Sequence, residues 1–213
     1  MEVKNGRAAQ GEVTQKTLRE QARKLFSQKG YSGANTGELA QRAKVTKGAL
    51  YHHFANKREL YLAVVEDMER ELVEHIEAAG AAARDPWKRL QAMCRAYLES
   101  CRDSNLTRIL VLEAPVVLGW KVWCNLEQKY EVAAFARCLK EAGATGFGQG
   151  TVPESVETLA QVILGALTTG ARVIATADNP GAARKEVEKT IKRLLAGLRS
   201  TTSGDGPVRI VKS

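Results

Sequence analysis

Residues 36–60 read TGELAQRAKVTKGALYHHFANKREL, and this stretch decides the fold of the first part of the chain. Thr36 precedes a short helical segment at residues 38–43, and its hydroxyl can accept a hydrogen bond from a free amide there. Thr46 stands in the same position before a second helix at residues 47–54. Small or apolar residues lie where these two helices would cross: Ala40, Ala43 and Val45. Two short capped helices joined by a tight turn predict a helix-turn-helix.

The second helix carries polar groups on the side opposite its expected buried residues, Leu50 and Phe54. That outer face holds a cation, a gap that allows close approach, a phenol and an imidazole: Lys47, Gly48, Tyr51 and His52. In a recognition helix such side chains reach base edges and phosphates, and Lys47 can bond guanine O6/N7 or a phosphate. Lys57, at the start of the next helix, is placed to reach a flanking phosphate. The same residue types also occur on ordinary helix surfaces, so this face alone leaves both interpretations open.

The positive charge is concentrated near the N-terminus. The net charge is +8, of which residues 1–60 contribute +7 from 12 Lys/Arg and 5 Asp/Glu, whereas residues 61–213 contribute +1. A concentrated basic block favours a polyanionic partner, because each neutralised phosphate releases condensed counterions. A solubilising surface is the alternative. Together with the two capped helices, the charge favours double-stranded DNA.

The hydrophobic pattern has a period of 3.6 residues throughout and predicts an all-α protein of about nine helices. Glycine and proline cluster between the periodic segments, at residues 30–33, 85–86, 114–115, 143–153 and 179–181. One apolar stripe follows residues 61–76 along a single helix face. Polar or Gly/Pro-broken ends predict flexible tails at residues 1–11 and 201–213.

The run from Thr14 to Met68, including VTKGALYHHFANKRELYLAVV, resembles the DNA-binding domain of TetR-type transcriptional regulators. The resemblance implies a three-helix DNA-binding domain at residues 12–57 and a larger helical ligand-binding and dimerisation domain at residues 58–200. It carries DNA-binding roles onto the matching motif positions: Thr36, Thr46, Lys47, Gly48, Tyr51, His52 and Lys57. The function it implies is a ligand-responsive regulator, a repressor, that binds a palindromic operator as a dimer.

One position departs from the family pattern. The turn residue is usually glycine, and here it is Lys44. A non-glycine residue in a left-handed turn costs on the order of 1 kcal/mol. The domain can bear this cost, and the extra positive charge near DNA should not abolish binding.

The remainder of the chain suits a small-molecule pocket with aromatic lining and few polar groups. Trp120 and Trp123 stand three apart and are expected side by side on one helix face. The apolar connector at residues 106–115 contains a lone acid, Glu113, which could orient a ligand, as could Glu127 or Arg172, or each could lie in a surface salt bridge. The candidate ligand-binding residues are Trp87, Met93, Cys94, Tyr97, Leu110, Glu113, Trp120, Trp123, Leu164 and Leu167. An aromatic stripe at helical spacing is more often ordinary core than pocket lining, and only the architecture that the resemblance implies favours a cavity. The expected effector is a small hydrophobic or aromatic compound.

Two terminal helices, at residues 154–177 and 182–198, carry apolar residues on more than one side. A helix that is apolar nearly all round must be buried on two sides. One side can pack on its own domain, and a second copy of the chain would cover the other. The sequence therefore predicts a homodimer through these two helices.

Other functional classes fit the sequence less well. The chain has no Ser/His/Asp spacing, no phosphate-cradling glycine loop and no metal-ligand cluster, so neither an enzyme nor a metal or other cofactor is expected. Four cysteines lack CxxC spacing and are expected to be buried thiols. An architectural DNA binder would leave some 150 residues unexplained. We find neither an apolar run of about 20 residues nor a secretory signal, which predicts a cytoplasmic protein without membrane segments.

Overall fold

The computed structural model describes residues 2–144 and 155–200. Within these residues it contains nine helices and no strand, which confirms the all-α prediction. The predicted tail at residues 201–213 lies outside the described residues. Residues 2–11 belong to the first helix, which begins earlier than we expected from the sequence.

The first four helices are α1 (Glu2–Gly33), α2 (Thr36–Arg42), α3 (Lys47–His53) and α4 (Lys57–Ala81). The next, α5, is Pro86–Ser100. The predicted connector at residues 106–115 is instead part of a continuous helix, α6, because its apolar residues pack inward at helical spacing. The segments of α6 are Ser104–Leu106, a π-helical stretch at Thr107–Glu113, and Ala114–Leu118.

Gly119 separates α6 from α7 with a positive φ of 78°, a conformation that favours glycine. The segments of α7 are Trp120–Glu127, a second π-helical stretch at Gln128–Val132, and Ala133–Ala144. The last two helices are α8 (Val156–Thr176) and α9 (Pro180–Ser200), close to the predicted terminal helices.

The chain packs as two compact units. The head unit comprises Met1–Leu72 and Cys101–Glu127, and the C-terminal unit comprises Val73–Ser100 and Gln128–Ser213. This division differs from the predicted boundary between residues 57 and 58, because α6 and the first half of α4 pack with α1 to α3. Helix α4 therefore contributes to both units, with the division between Leu72 and Val73.

The core of the head unit follows the hydrophobic pattern of α1 and α4. Leu18, Leu25 and Phe26 of α1 and Leu60 and Tyr61 of α4 are fully buried. Two ion pairs on the surface join the same two helices, Arg19 to Asp67 and Arg23 to Glu71, each with a nitrogen–oxygen distance of 2.6 Å. Exposed pairs of this kind contribute about 0–1 kcal/mol, so burial of the apolar stripe is the main source of stability.

The core of the C-terminal unit is formed by α5, α7, α8 and α9. Leu90 and Leu98 of α5, Phe135 of α7 and Leu167 of α8 are buried. Helices α8 and α9 approach closely at Gly170, where an added Cβ would lie 2.6 Å from Cγ1 of Val187. A larger residue at position 170 would therefore push the two terminal helices apart.

Candidate DNA-binding surface and effector-binding region

Helix α3 has the geometry expected of a recognition helix. The Thr46 hydroxyl accepts a hydrogen bond from the Ala49 amide at 3.1 Å, so the predicted cap is formed. Leu50 and Phe54 are buried and fix which side of the helix faces the core. The opposite side is exposed and carries the predicted set Lys47, Gly48, Tyr51 and His52. The structure thus brings these four residues together on one open surface.

The turn before α3 has the left-handed conformation expected at Lys44, with a φ of 56°. Its amide donates to the Gln41 carbonyl at 3.1 Å, and the Val45 amide donates to the Ala40 carbonyl at 2.9 Å. Both bonds close the C-terminus of α2. The exposed lysine side chain adds positive charge beside α3.

Thr36 does not cap α2, contrary to the sequence-based expectation. The cap is Asn35, whose side-chain oxygen accepts from the Gly37 amide at 2.6 Å, and Thr36 is the first residue of the helix. The Thr36 hydroxyl lies 3.2 Å from the Tyr51 hydroxyl, within hydrogen-bonding distance. Thr36 therefore orients the Tyr51 side chain, which is 46% exposed.

The Lys57 ammonium is engaged by the protein backbone. Its Nζ donates to the carbonyl oxygens of Tyr31 at 2.8 Å and Ala34 at 3.1 Å, and it lies 4.3 Å from the centroid of the Tyr31 ring. Both carbonyls lie at the C-terminal end of α1, where backbone acceptors outnumber helical amides, and the Tyr31 carbonyl also accepts from the Ala34 amide at 3.4 Å. In this structure Lys57 thus closes α1, a role that the sequence analysis did not foresee.

Within the head unit, two side chains of α4 hold α6 by hydrogen bonds that the sequence analysis missed. The Tyr61 hydroxyl donates to the Ile109 carbonyl at 3.0 Å. Arg58 donates to the carbonyl oxygens of Val117 and Leu118, at the C-terminus of α6. Burial and the nearby Glu113 charge raise the pKa of Tyr61 above its ordinary value, which keeps this phenol a hydrogen-bond donor. The apolar stripe of α4 predicted that Tyr61 is buried, but gave no signal for its partner.

Glu113 forms an ion pair with Arg108, the alternative to a ligand contact that the sequence analysis left open. Its Oε2 accepts a hydrogen bond from the Tyr31 amide at 2.9 Å, and its Oε1 lies 3.3 Å from Nε of Arg108. It therefore contacts α1. The sequence marks Gly30 as a break and Glu113 as a charge in an apolar segment, but gives no signal that the two meet.

The two neighbouring tryptophans of α7 differ in burial. Trp123 is 4% exposed and belongs to the core of the head unit, whereas Trp120 is 69% exposed. The expectation that both lie side by side in a pocket wall is wrong, because Trp120 is the first residue after the Gly119 break and points to solvent. Leu110, also predicted to line the pocket, is buried in the head unit.

The remaining predicted ligand-binding residues are buried in the C-terminal unit: Trp87, Met93, Cys94, Tyr97, Leu164 and Leu167. Among the described cavities, Cys94 and Met93 contribute to walls. A polar pair lies within this apolar environment, since the hydroxyls of Tyr97 and Thr168 are 3.2 Å apart.

Burial raises the pKa of the Cys94 thiol to about 12 and that of Cys138 to about 11, so both are protonated, unreactive thiols.

Two grooves flank α9 in the C-terminal unit. One, of about 450 Å³, lies between α5 and α9 and has a floor of Cys94, Leu98, Ile191 and Leu195 beneath a rim that includes Arg95, Lys185, Lys189 and Lys192. The other, of about 610 Å³, lies between α8 and α9 and is lined by small and apolar residues, among them Gly165, Ala166, Val173 and Leu194. Two large apolar side chains of its lining are exposed, Val173 and Leu194. Val162 of α8, which is not part of this lining, is exposed as well.

Two further features concern metals and membranes. Among residues 2–144 and 155–200, no group of three or more His, Cys, Asp or Glu side chains could hold a metal ion. Helix α8 is long and apolar enough to cross a membrane by length and composition, whereas the sequence analysis found no apolar run of about 20 residues. Core helices of soluble proteins meet the same criterion, so this is weak evidence.

The chain matches two family models. The model described as "Bacterial regulatory proteins, tetR family" matches residues 18–64, and "Tetracyclin repressor-like, C-terminal domain" matches residues 87–198. The second match covers more than half of the chain.

Two relatives illustrate the similarity in sequence. The chain is 32% identical over 130 residues to the transposon Tn10 TetC protein of Escherichia coli, covering 61% of this chain and 66% of TetC. It is 38% identical over 92 residues to the HTH-type transcriptional activator FasR of Mycolicibacterium smegmatis, covering 43% of this chain and 42% of FasR. The matches thus span less than two thirds of the length of either relative.

Two solved structures have the same fold as this protein over nearly the whole chain. A TetR-family transcriptional regulator from Pectobacterium atrosepticum is 32% identical, with a TM-score of 0.76 over 90% of this chain and 96% of its own. RolR in complex with resorcinol has a TM-score of 0.70 at 18% identity, covering 94% of this chain and 98% of its own, and shows a shared fold.

Proposed function

Because this chain belongs to the TetR family of bacterial transcriptional regulators, we propose that it is a repressor that binds a palindromic operator as a dimer and is released by a small effector. Regulators of this family bind DNA through a helix-turn-helix, bind small-molecule effectors, act as dimers and are typically ligand-responsive repressors. The family consists of DNA-binding regulators, not enzymes. For this chain we propose three specific features: a palindromic operator, a small-molecule effector and repression of transcription.

The exposed face of α3 is the observation that carries the proposal. Lys47 and Tyr51 project from the N-terminal half of a helix whose buried side is fixed by Leu50 and Phe54. Gly48 leaves room for the sugar-phosphate backbone, and His52 adds a second donor. We assign base or phosphate contacts to Lys47, Tyr51 and His52, with Thr36 and Thr46 holding the surface in place.

The dimer is proposed to form through α8 and α9. Their shared groove is lined by small residues together with Val173 and Leu194, and a single chain leaves these two side chains and Val162 of α8 exposed. Exposed apolar side chains that cluster on neighbouring helices are typical of a protein–protein interface. Two helices from each of two chains would then form a four-helix interface.

The proposed effector is a small hydrophobic or aromatic compound that binds in the C-terminal unit. Apolar side chains from α5 and α8 surround the Tyr97–Thr168 hydroxyl pair, and such a combination can orient a ligand that carries one polar group. RolR, which shares the fold, was crystallised with resorcinol, an aromatic compound of this type. An effector can shift the protein off DNA only by the difference in its affinity for the two conformations.

An architectural DNA binder without a sensor is the main alternative. Titration with compounds that release the protein from DNA separates the two, because a sensor must show saturable binding without DNA. We propose a cytoplasmic location, in keeping with a family of soluble DNA-binding regulators.

The recognition-helix assignment is tested by footprinting. Wild type should protect a palindromic site near its own gene, and Lys47→Ala or Tyr51→Ala should weaken specific binding by about 1–3 kcal/mol if each contacts a base. Lys88→Ala, which removes an exposed lysine of the C-terminal unit, is the matched control and should bind normally. Normal protection by the Lys47→Ala, Tyr51→Ala double variant would show that α3 does not read the operator.

A further inference from the structure

Helix α1 is interrupted three residues before its end. Gly30 has a φ of 70° and a ψ of 174°, far from helical values. A regular α-helix would join the Tyr31 amide to the Ser27 carbonyl four residues earlier. The torsion angles of Gly30 prevent that bond, which leaves one donor and one acceptor of the backbone to be satisfied in a partly buried position.

Two side chains of α6 satisfy both groups. Glu113 Oε2 accepts from the Tyr31 amide at 2.9 Å, and Arg108 Nη1 donates to the Ser27 carbonyl at 3.3 Å. Arg108 and Glu113 also pair with each other at 3.3 Å. A single ion pair thus replaces the helical bond that Gly30 breaks.

Glycine at position 30 is needed for this arrangement on two counts. Its φ is positive, and a Cβ there would lie 2.6 Å from Glu113 Oε1 and 3.5 Å from Arg108 Nη2. The carboxylate therefore occupies the space that a side chain would take. The break at Gly30 and the Arg108–Glu113 ion pair are therefore sterically complementary, as expected if they function together.

The π-helical stretch of α6 explains how both side chains reach the same point. Arg108 and Glu113 are five residues apart, and in an α-helix residues at that spacing point about 140° away from each other. In a π-helix the backbone bond joins residues five apart, and here the Ala114 amide donates to the Ile109 carbonyl. The π-helical register therefore places Arg108 and Glu113 one above the other, facing α1.

The turn that follows the break determines where α2 begins. Tyr31 is held at its amide by Glu113, at its carbonyl by Lys57, and at its ring by Phe26 and Tyr61, with ring centroids 6.0 Å and 5.0 Å away. Four residues later Asn35 caps α2, and Thr36 meets Tyr51 of α3. A displacement of Tyr31 is therefore passed to the recognition helix over a short length of chain.

We propose that Arg108 and Glu113 are positioning residues for DNA binding, which together lock the break in α1 and so fix the placement of α2 and α3. The inference rests on the proposed DNA-binding role of α3 but adds residues of α6 that do not contact DNA. It also gives the π-helical stretch a role, since a shift of Thr107–Glu113 to α-helical register would turn Glu113 away from Tyr31.

Selective ¹⁵N labelling of tyrosine tests whether the Arg108–Glu113 pair holds the break in α1. The chain has five tyrosines, and their amide signals report on separate parts of the protein. Tyr31 reports the break, Tyr51 reports α3, and Tyr97 reports the C-terminal unit. In Glu113→Ala the Tyr31 amide should exchange with solvent about tenfold faster or more, since it loses a hydrogen bond to a charged acceptor. The Tyr51 signal should shift, and the Tyr97 signal should not.

Conservative and control variants separate positioning from general stability. Glu113→Gln keeps an oxygen that can accept from the Tyr31 amide and should retain most of its protection, while Arg108→Ala should fall between Glu113→Ala and wild type. Glu71→Ala is the matched control, because Glu71 also pairs with α1, through Arg23, but away from the break. It should leave the Tyr31 and Tyr51 signals unchanged.

Operator affinity completes the test. Glu113→Ala should lose about tenfold or more in specific affinity, while Glu113→Gln and Glu71→Ala stay near wild type. Unchanged Tyr31 exchange, or unchanged affinity, in Glu113→Ala would overturn the proposal. If wild type bound no specific DNA, the proposed function would fail, and the tyrosine signals would still decide whether the lock positions α3.

Discussion

The Lys57 ammonium group closes the broken end of α1. It donates to two carbonyl oxygens, of Tyr31 and Ala34, and lies over the Tyr31 ring. Hydrogen bonds that involve a charged partner typically contribute about 1.5–3 kcal/mol each. At the scale of single residues, the head unit is thus stabilised by cations that bind backbone carbonyls: Lys57 at the end of α1 and Arg58 at the end of α6.

We expect Lys57→Met to lower the free energy of unfolding by at least the contribution of one such bond, about 1.5–3 kcal/mol, because both carbonyls lose a charged donor. Urea denaturation measures this, with Lys24→Met as the control, since Lys24 is an exposed lysine of α1. The salt dependence of operator binding should stay as in wild type. A decrease of about one in the slope with unchanged stability would instead show a phosphate contact at Lys57.

Among the helices, α9 shows how two adjacent residues can have opposite roles. Leu195 is 3% exposed and packs within its own chain, while Leu194 is 54% exposed at the edge of the α8–α9 groove. Val173 of α8 is exposed in the same groove, and Val162 of α8 is exposed as well. One side of each terminal helix therefore belongs to the fold, and the other is available to a second chain.

Leu194→Glu should give a folded monomer, because a charge at the proposed interface opposes association and disturbs no packing within the chain. Leu195→Glu should unfold the C-terminal unit, since burying an unpaired carboxylate costs several kcal/mol. Sedimentation and circular dichroism distinguish the two outcomes. A Leu194→Glu variant that remains dimeric at micromolar concentration would place the interface elsewhere.

For the whole molecule, the proposed binding of a palindromic operator depends on the spacing of two recognition helices in the proposed dimer. Two such helices in a dimer enter successive major grooves about 34–36 Å apart. Helix α4 contributes to both compact units, so we expect it to pivot when an effector binds in the C-terminal unit. A pivot would change the spacing and release the operator.

Insertion of five base pairs between the operator half-sites should reduce affinity to the non-specific level, about 10³-fold or more, because it turns one half-site to the opposite face of the duplex. The same five base pairs placed outside the half-sites serve as the control and should have no effect. Gel-shift titration measures both. Equal binding to the two DNAs would mean that the half-sites are not read together by one dimer.

Much of the candidate DNA-binding surface could be predicted from the sequence. Helical periodicity identified the buried residues Leu50 and Phe54, which fixed the outer face of α3, and local chemistry identified the Thr46 cap and the left-handed Lys44 turn. These features depend on residues within a few positions of one another. The cap of α2 was assigned one residue too late, since Asn35 and Thr36 are both competent capping residues.

Periodicity and capping are local properties of the chain, so the helical class, the helix-turn-helix and its exposed face could be predicted from the residues alone. Three features depend on how the helices pack: Glu113 meets Tyr31 across 82 positions of sequence, Lys57 closes α1, and Trp120 is exposed while Trp123 is buried. A charged or aromatic side chain takes its role from the partner it meets. That partner is set by how helices pack, and hydrophobic periodicity specifies which side of a helix is buried without specifying what lies against it.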